Sequence, residues 1–232
     1  MMWQLIKQDV RFQARHSFYI VYVFVSLFYI WILRWMPLDV RKYAAPVIVL
    51  MDPAAVGFFI IGAGVLLERS QGVLDPLFVT PIRLRHYIWS KALTLAFLGF
   101  VSGEAVMAGS FGISGMTWLG SIGLYAIAVI MSLFGLALAV RARTVNIFFI
   151  QASFVMIVLL LPLLTYFHLV SIPFASVLPT AAALCLLSIR LESLSWMEGA
   201  AIGINLGLWL AMAYQLAYRA CERYLMQVGE GR

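Results

Sequence analysis

The chain has 232 residues, of which 64% are hydrophobic and only 11% charged. A water-soluble domain of that size needs more polar surface than this, so lipid has to be the solvent for much of it. The net charge of +6 is scattered in short Lys/Arg tracts between apolar blocks, as topology determinants are, and the absence of a long basic run speaks against a nucleic-acid partner.

In chain order, residues 1–16 come first. At 100° per residue Lys7, Arg11 and Arg15 make one basic stripe bordered by Gln4 and Gln8, with Met2, Trp3, Ile6 and Val10 on another face. This predicts an interfacial helix along the inner leaflet, the alternative being a basic flank that only enforces orientation. Charged and amide residues from Gln4 to His16, with no small-residue cleavage site, predict that no signal peptide is removed.

The apolar blocks are continuous rather than alternating, so they predict helices and not a barrel. Six spans are expected: Phe18 to Trp35, Ala45 to Leu67, Tyr87 to Gly109, Trp118 to Val140, Asn146 to His168, and Trp196 to Tyr218. Placing both termini in the cytoplasm leaves twelve Lys/Arg inside and four outside, namely Arg34, Arg41, Lys42 and Arg190. The expected location is therefore the inner or plasma membrane, multi-pass. Within the second span, Asp52-Pro53 reads as a helix start, Asp capping free N–H groups and Pro taking the first helical position. The span is thus expected as two pieces meeting at Asp52. Residues 171–195 are too apolar for a hydrated loop, yet Pro173 and Pro179 cut them into pieces too short to cross, so a re-entrant pair of half-helices on the outer side is expected. Cys185 and Cys221 fall on opposite sides and are not expected to pair. Trp35, Trp89, Trp118 and Trp196 sit at span ends, as an interfacial belt requires.

Small residues at helical spacing predict close packing: Gly99 with Gly103 in the third span, and Gly199, Gly203 and Gly207 in the sixth. Packing within the subunit is the first reading of both, a subunit interface the second. The chain has no phosphate-binding loop, no H-E-x-x-H, no Cys/His metal spacing and no G-x-S-x-G, so no catalytic residue, metal site or cofactor is assigned to it. His16, His86 and His168 are isolated and read as headgroup-level residues.

Residues 66–91, LLERSQGVLDPLFVTPIRLRHYIWSK, are the most informative inner stretch. Val73, Leu74, Leu77 and Phe78 share one helical face, and Pro81 ends the piece at Thr80. The spacing predicts a short helix parallel to the membrane with one face free to dock.

Here the chain resembles the permease subunits of type 2 ABC exporters. The resemblance rests on Glu68-Arg69, Gly72, Leu74, Leu77, Thr80-Pro81 and Lys91, with Asp52-Pro53 and Leu178-Pro179-Thr180, and looks closest to small fluoroquinolone or multidrug export permeases. It is poorer for the haem exporter permease of cytochrome c maturation. It implies an all-α membrane protein of one permease domain: residues 1–16 interfacial, 68–86 a coupling segment, 171–195 re-entrant. It also implies cytoplasmic ABC ATPase partners carrying ATP and magnesium, and a second permease copy or paralogue. Val73, Leu74, Leu77 and Phe78 are then expected to dock on the ATPase, with Glu68 and Arg69 holding the elbow after span two.

Two carboxylates, Asp52 and Glu104, fall well inside the spans, where charge is costly and usually kept for a reason. Asp52 reads first as a half-helix cap. Glu104 reads equally as facing the substrate path, with Arg34 or Arg190 as gating partners, or as reaching outer water. Against a membrane-embedded enzyme stands the scatter of Asn146, Gln151, Asn205 and Gln215, and against a secondary carrier the lack of an inverted repeat.

Overall fold

A computed structural model describes residues 2–51, 57–71, 83–188 and 195–225. Among them there is no strand, and helices follow one another throughout. They are α1 (Met2–Arg15), α2 (Phe18–Trp35), α3 (Leu38–Met51), α4 (Phe58–Ser70), α5 (Leu84–Phe111), α6 (Trp118–Arg141), α7 (Val145–Leu159), α8 (Pro162–Tyr166), α9 (Pro179–Ser188) and α10 (Trp196–Leu225). Short 3-10 turns occupy Ile113–Gly115 and Pro173–Val177.

Five stretches are long and apolar enough to cross a bilayer: Phe18–Trp35, Leu84–Phe111, Trp118–Arg141, Val145–Tyr166 and Trp196–Arg223. The chain is thus an all-helical, multi-pass membrane protein. Of the expected second span, Ala45 to Leu67, the described residues form α3 and α4, of 14 and 13 residues, on the two sides of residues 52–56. Asp52-Pro53, the expected cause of a break, lies outside the described residues. The fifth span is divided, since Pro162 cannot donate a backbone N–H and α7 stops at Leu159 before α8 resumes.

The bundle is built around α6. Leu124, Ile127, Ile130, Met131, Leu133 and Leu136 are all fully buried, on every side of the helix. What lets four neighbours close on it is a set of small residues not singled out from sequence. A Cβ on Gly135 would stand 2.5 Å from the Phe58 carbonyl oxygen of α4, and one on Gly123 would stand 2.8 Å from Leu186 of α9. By contrast α2 and α10 bury little of their surface in this chain. Side-chain caps start two inner helices of the series: Thr117 Oγ1 accepts from the Gly120 N–H before α6, and Thr144 Oγ1 from the Ile147 N–H before α7.

The region between spans five and six dips into the bundle. The Val177 carbonyl, left free where the 3-10 turn meets α9, accepts from Asn205 Nδ2 at 2.8 Å and Trp209 Nε1 at 2.7 Å. Those residues lie nine and thirteen positions inside the Trp196 end of α10, so the reversal at Leu178-Pro179 sits roughly 14 to 20 Å below it. Thr180 of α9 donates to the Leu159 carbonyl, closing the last turn of α7 at similar depth. Irregular backbone is tolerated at such depth only when protein groups satisfy it, and these three donors do so.

The basic residues of the α2–α3 turn, which run against the charge bias, have a local use. Arg34 donates to the Gly109 carbonyl at 2.8 Å, and Arg41 donates to the carbonyls of Ser110, Arg34 and Met36. They satisfy the free carbonyls at the ends of α5 and α2, where a cation is also favoured by the helix dipole.

Candidate functional site

α1 has three faces rather than two. Leu5, Asp9 and Gln13, spaced by four, are buried against the bundle, while Trp3 and Val10 are exposed on one flank and Gln4, Gln8, Arg11 and Arg15 on the other. The chain turns from α1 into α2 at Ser17, whose φ of 61° is a left-handed conformation rarely taken by a residue with a side chain.

The buried face carries a charge into the protein. Lys91 of α5 lies between two carboxylates, Asp9 of α1 at 2.6 Å and Glu68 of α4 in direct contact. Ser90 donates to the second oxygen of Asp9, and Tyr87 Oη donates to Glu68 Oε2 at 3.4 Å. Asp9, Glu68 and Lys91 are each at most 8% exposed. The Lys91 ammonium also stands 5.5 Å from the Phe12 ring centre and 5.8 Å from that of Tyr87. Two carboxylates against one ammonium leave an excess negative charge. It faces a cavity of about 400 Å³ whose rim carries Arg11, Arg15 and His16 with Gln8 and Gln71.

The cluster ties three elements together where α4 ends and α5 begins. Glu68 and Arg69, adjacent in sequence, point to different helices: Glu68 to Lys91 of α5, Arg69 to the Ala142 carbonyl just past α6, at 3.4 Å. The bond from Arg69 satisfies one of the free carbonyls at the α6 terminus. Gly72, Val73, Leu74, Leu77, Phe78, Thr80 and Pro81 lie outside the described residues, and only the two stems of their loop belong to the described structure. Sequence reasoning placed Glu68 and Lys91 in one motif but missed Asp9, Ser90 and Tyr87. The available signal was Asp9 itself, the only acid in a basic helix, at the i+4 position between Leu5 and Gln13.

Of the other sequence-derived residues, Glu104 is half-buried on α5, seven residues before its end. Arg34, its expected gating partner, is engaged with Gly109 instead, and no described residue pairs with Glu104. Asp52 and Arg190 lie outside the described residues. Gly99 and Gly103 are buried on α5, and a Cβ at Gly103 would stand 2.7 Å from Leu124. The sixth-span glycines differ, which corrects the first reading given to them. A Cβ on Gly203 or Gly207 would meet nothing within 4 Å, and Gly199 is only half-buried, so this face is not a tight contact within the chain. Cys185 is exposed and Cys221 buried, and both are free thiols.

The profile of the fluoroquinolones export permease protein family matches residues 1–228. Two curated relatives are named fluoroquinolones export permease protein, from the CDC 1551 / Oshkosh and ATCC 25618 / H37Rv strains of Mycobacterium tuberculosis. Each is 24% identical over 201 residues, covering 85% of this chain and 85% of its own length. No solved structure matches.

Proposed function

Taking as premise that the chain belongs to the fluoroquinolones export permease family, we propose that it is the membrane subunit of an ATP-driven ABC exporter. Two such permeases form the path for an amphipathic compound, and a separate ATPase pair binding ATP and magnesium supplies the work. With both termini cytoplasmic, the loop between α4 and α5 faces the cytosol. The observation that carries this reading is the Asp9–Lys91–Glu68 cluster. Force applied to that loop reaches two stems that are locked to each other and to α1 by buried ionic bonds, so the three elements move together rather than bending separately.

In this reading Val73, Leu74, Leu77 and Phe78 dock into the ATPase, Gly72 and Thr80-Pro81 bound the docking piece, and Arg69 carries the motion on to α6. Glu104 lies about 10 Å inside the outer end of α5 and lines the path. The substrate class follows the relatives' names, and the chain's own chemistry adds only that the compound is amphipathic.

The test is copurification with the ATPase encoded beside it, followed by ATP hydrolysis in liposomes. Glu68→Gln and Lys91→Met, each assembled with the ATPase, should lower permease-dependent stimulation by about 2- to 30-fold, the range of coupling energies carried by such contacts. A chain that exports without any nucleotide-hydrolysing partner, or one whose 72–82 segment is labelled only from outside, would falsify the proposal.

A further inference from the structure

A second cavity lies away from the charge cluster. It is an open groove of about 560 Å³, walled by Trp89, Leu93, Phe97 and Phe100 of α5, with Ala126 of α6 and Leu210 of α10. It forms because α5 and α10 both pack on α6, where Ala126 offers little bulk between them. Its lining contains no charged side chain. The part along α5 runs eleven residues from Trp89 to Phe100, roughly 16 Å, which is close to the ~15 Å depth of one leaflet's hydrocarbon.

At its Trp89 end the groove meets polar chemistry. Arg85 stands one turn before Trp89 on the same face, exposed and without an ion pair among the described residues. Trp89 stacks on Tyr214 of α10 at 5.2 Å, forming the interfacial step between the apolar slot and the cation. The sequence of features along this face is therefore cation, interfacial ring, then an apolar slot of one chain's length.

We propose that this groove seats one acyl chain of an anionic phospholipid, with the lipid phosphate on Arg85. A flat zwitterionic compound fits it poorly, because its charges would lie in a slot whose polar side chains are the uncharged Ser121 and Tyr125. A second copy of the chain fits poorly too, since a helix about 10 Å across is too wide to enter a recess already walled by three helices. The proposal does not depend on the ATPase-coupled reading, and its failure would leave that reading untouched.

The experiment is native mass spectrometry of the delipidated full-length protein, titrated with phosphatidylglycerol or phosphatidylcholine of identical chains. One retained lipid per chain is expected, with about a fivefold preference for phosphatidylglycerol, the size of one Arg contribution at a membrane surface. Arg85→Gln should bring the two lipids to equal affinity while the lipid is still retained. Ala126→Phe, which fills the slot, should weaken both by at least fivefold in protein whose unfolding midpoint is unchanged; Ala126→Leu replaces it if the larger ring does not fold. The proposal is overturned if the filled variant binds both lipids as wild type does, or if Arg85→Gln keeps the preference. It is also overturned if filling the slot changes the oligomeric mass, which would make the groove a subunit face.

Discussion

Lys91 shows how much a single side chain is asked to hold. Its ammonium is the one cation paired with two carboxylates taken out of water, and removing it alone leaves both of their charges buried together. Lys91→Met should therefore destabilise the protein by about 3–5 kcal/mol, the cost of breaking a buried ion pair from one side. The triple change of Asp9→Asn, Glu68→Gln and Lys91→Met removes every charge at once and should recover most of that loss. SDS titration of the wild type, Lys91→Met and the triple variant reads this directly. A triple variant as unstable as Lys91→Met would mean that packing around Phe12 and Tyr87, not charge, decides the site. If the proposed coupling holds, the triple variant should be stable yet poorly stimulated, because a neutral cluster no longer locks the two stems.

Among elements, α6 and α10 make opposite use of glycine. On α6 the partner of Gly135 is backbone, the Phe58 carbonyl, which cannot swing aside. Gly135→Ala should thus push α4 from α6 and cost about 1–3 kcal/mol, as overpacking does. Gly203→Ala and Gly207→Ala add a methyl to open space. They should leave the unfolding of the single chain unchanged, so any loss of assembly in those variants would locate a contact with another chain. The same SDS titration, paired with a mass measurement of the assembled complex, separates the two effects. The re-entrant piece makes a third case. The Val177 carbonyl has two donors, so Asn205→Leu or Trp209→Phe alone should cost no more than the roughly 0.6 kcal/mol typical of polar contacts in a bilayer. The double variant should cost more than the sum, since only then is the carbonyl left bare.

For the whole molecule, topology is the property most open to direct measurement. Cys185 lies on exposed surface of α9, beside a crevice of about 360 Å³ that also carries the Tyr166 and Ser188 hydroxyls. Cys221 is buried near the far end of α10. On the proposed orientation, with both termini in the cytoplasm, a membrane-impermeant maleimide added outside intact cells should label Cys185 and leave Cys221 untouched until the protein is unfolded. Labelling of Cys185 only from the outside of inverted vesicles would reverse the orientation and with it the proposed site of ATPase contact.

Much of the architecture was legible from sequence because a bilayer sets a length and polarity for each element. The α2 limits and the dip before the sixth span follow from where apolar runs stop and where Pro falls. Pairing between distant residues carries no such periodic signal. That Asp9 faces inward, that Arg34 serves the end of α5 and not Glu104, and that α6's glycines are packed while those of α10 are bare were decided by how helices rotate against one another. Rotation depends on the sum of many side-chain contacts across elements, and no local pattern in the chain contains that sum.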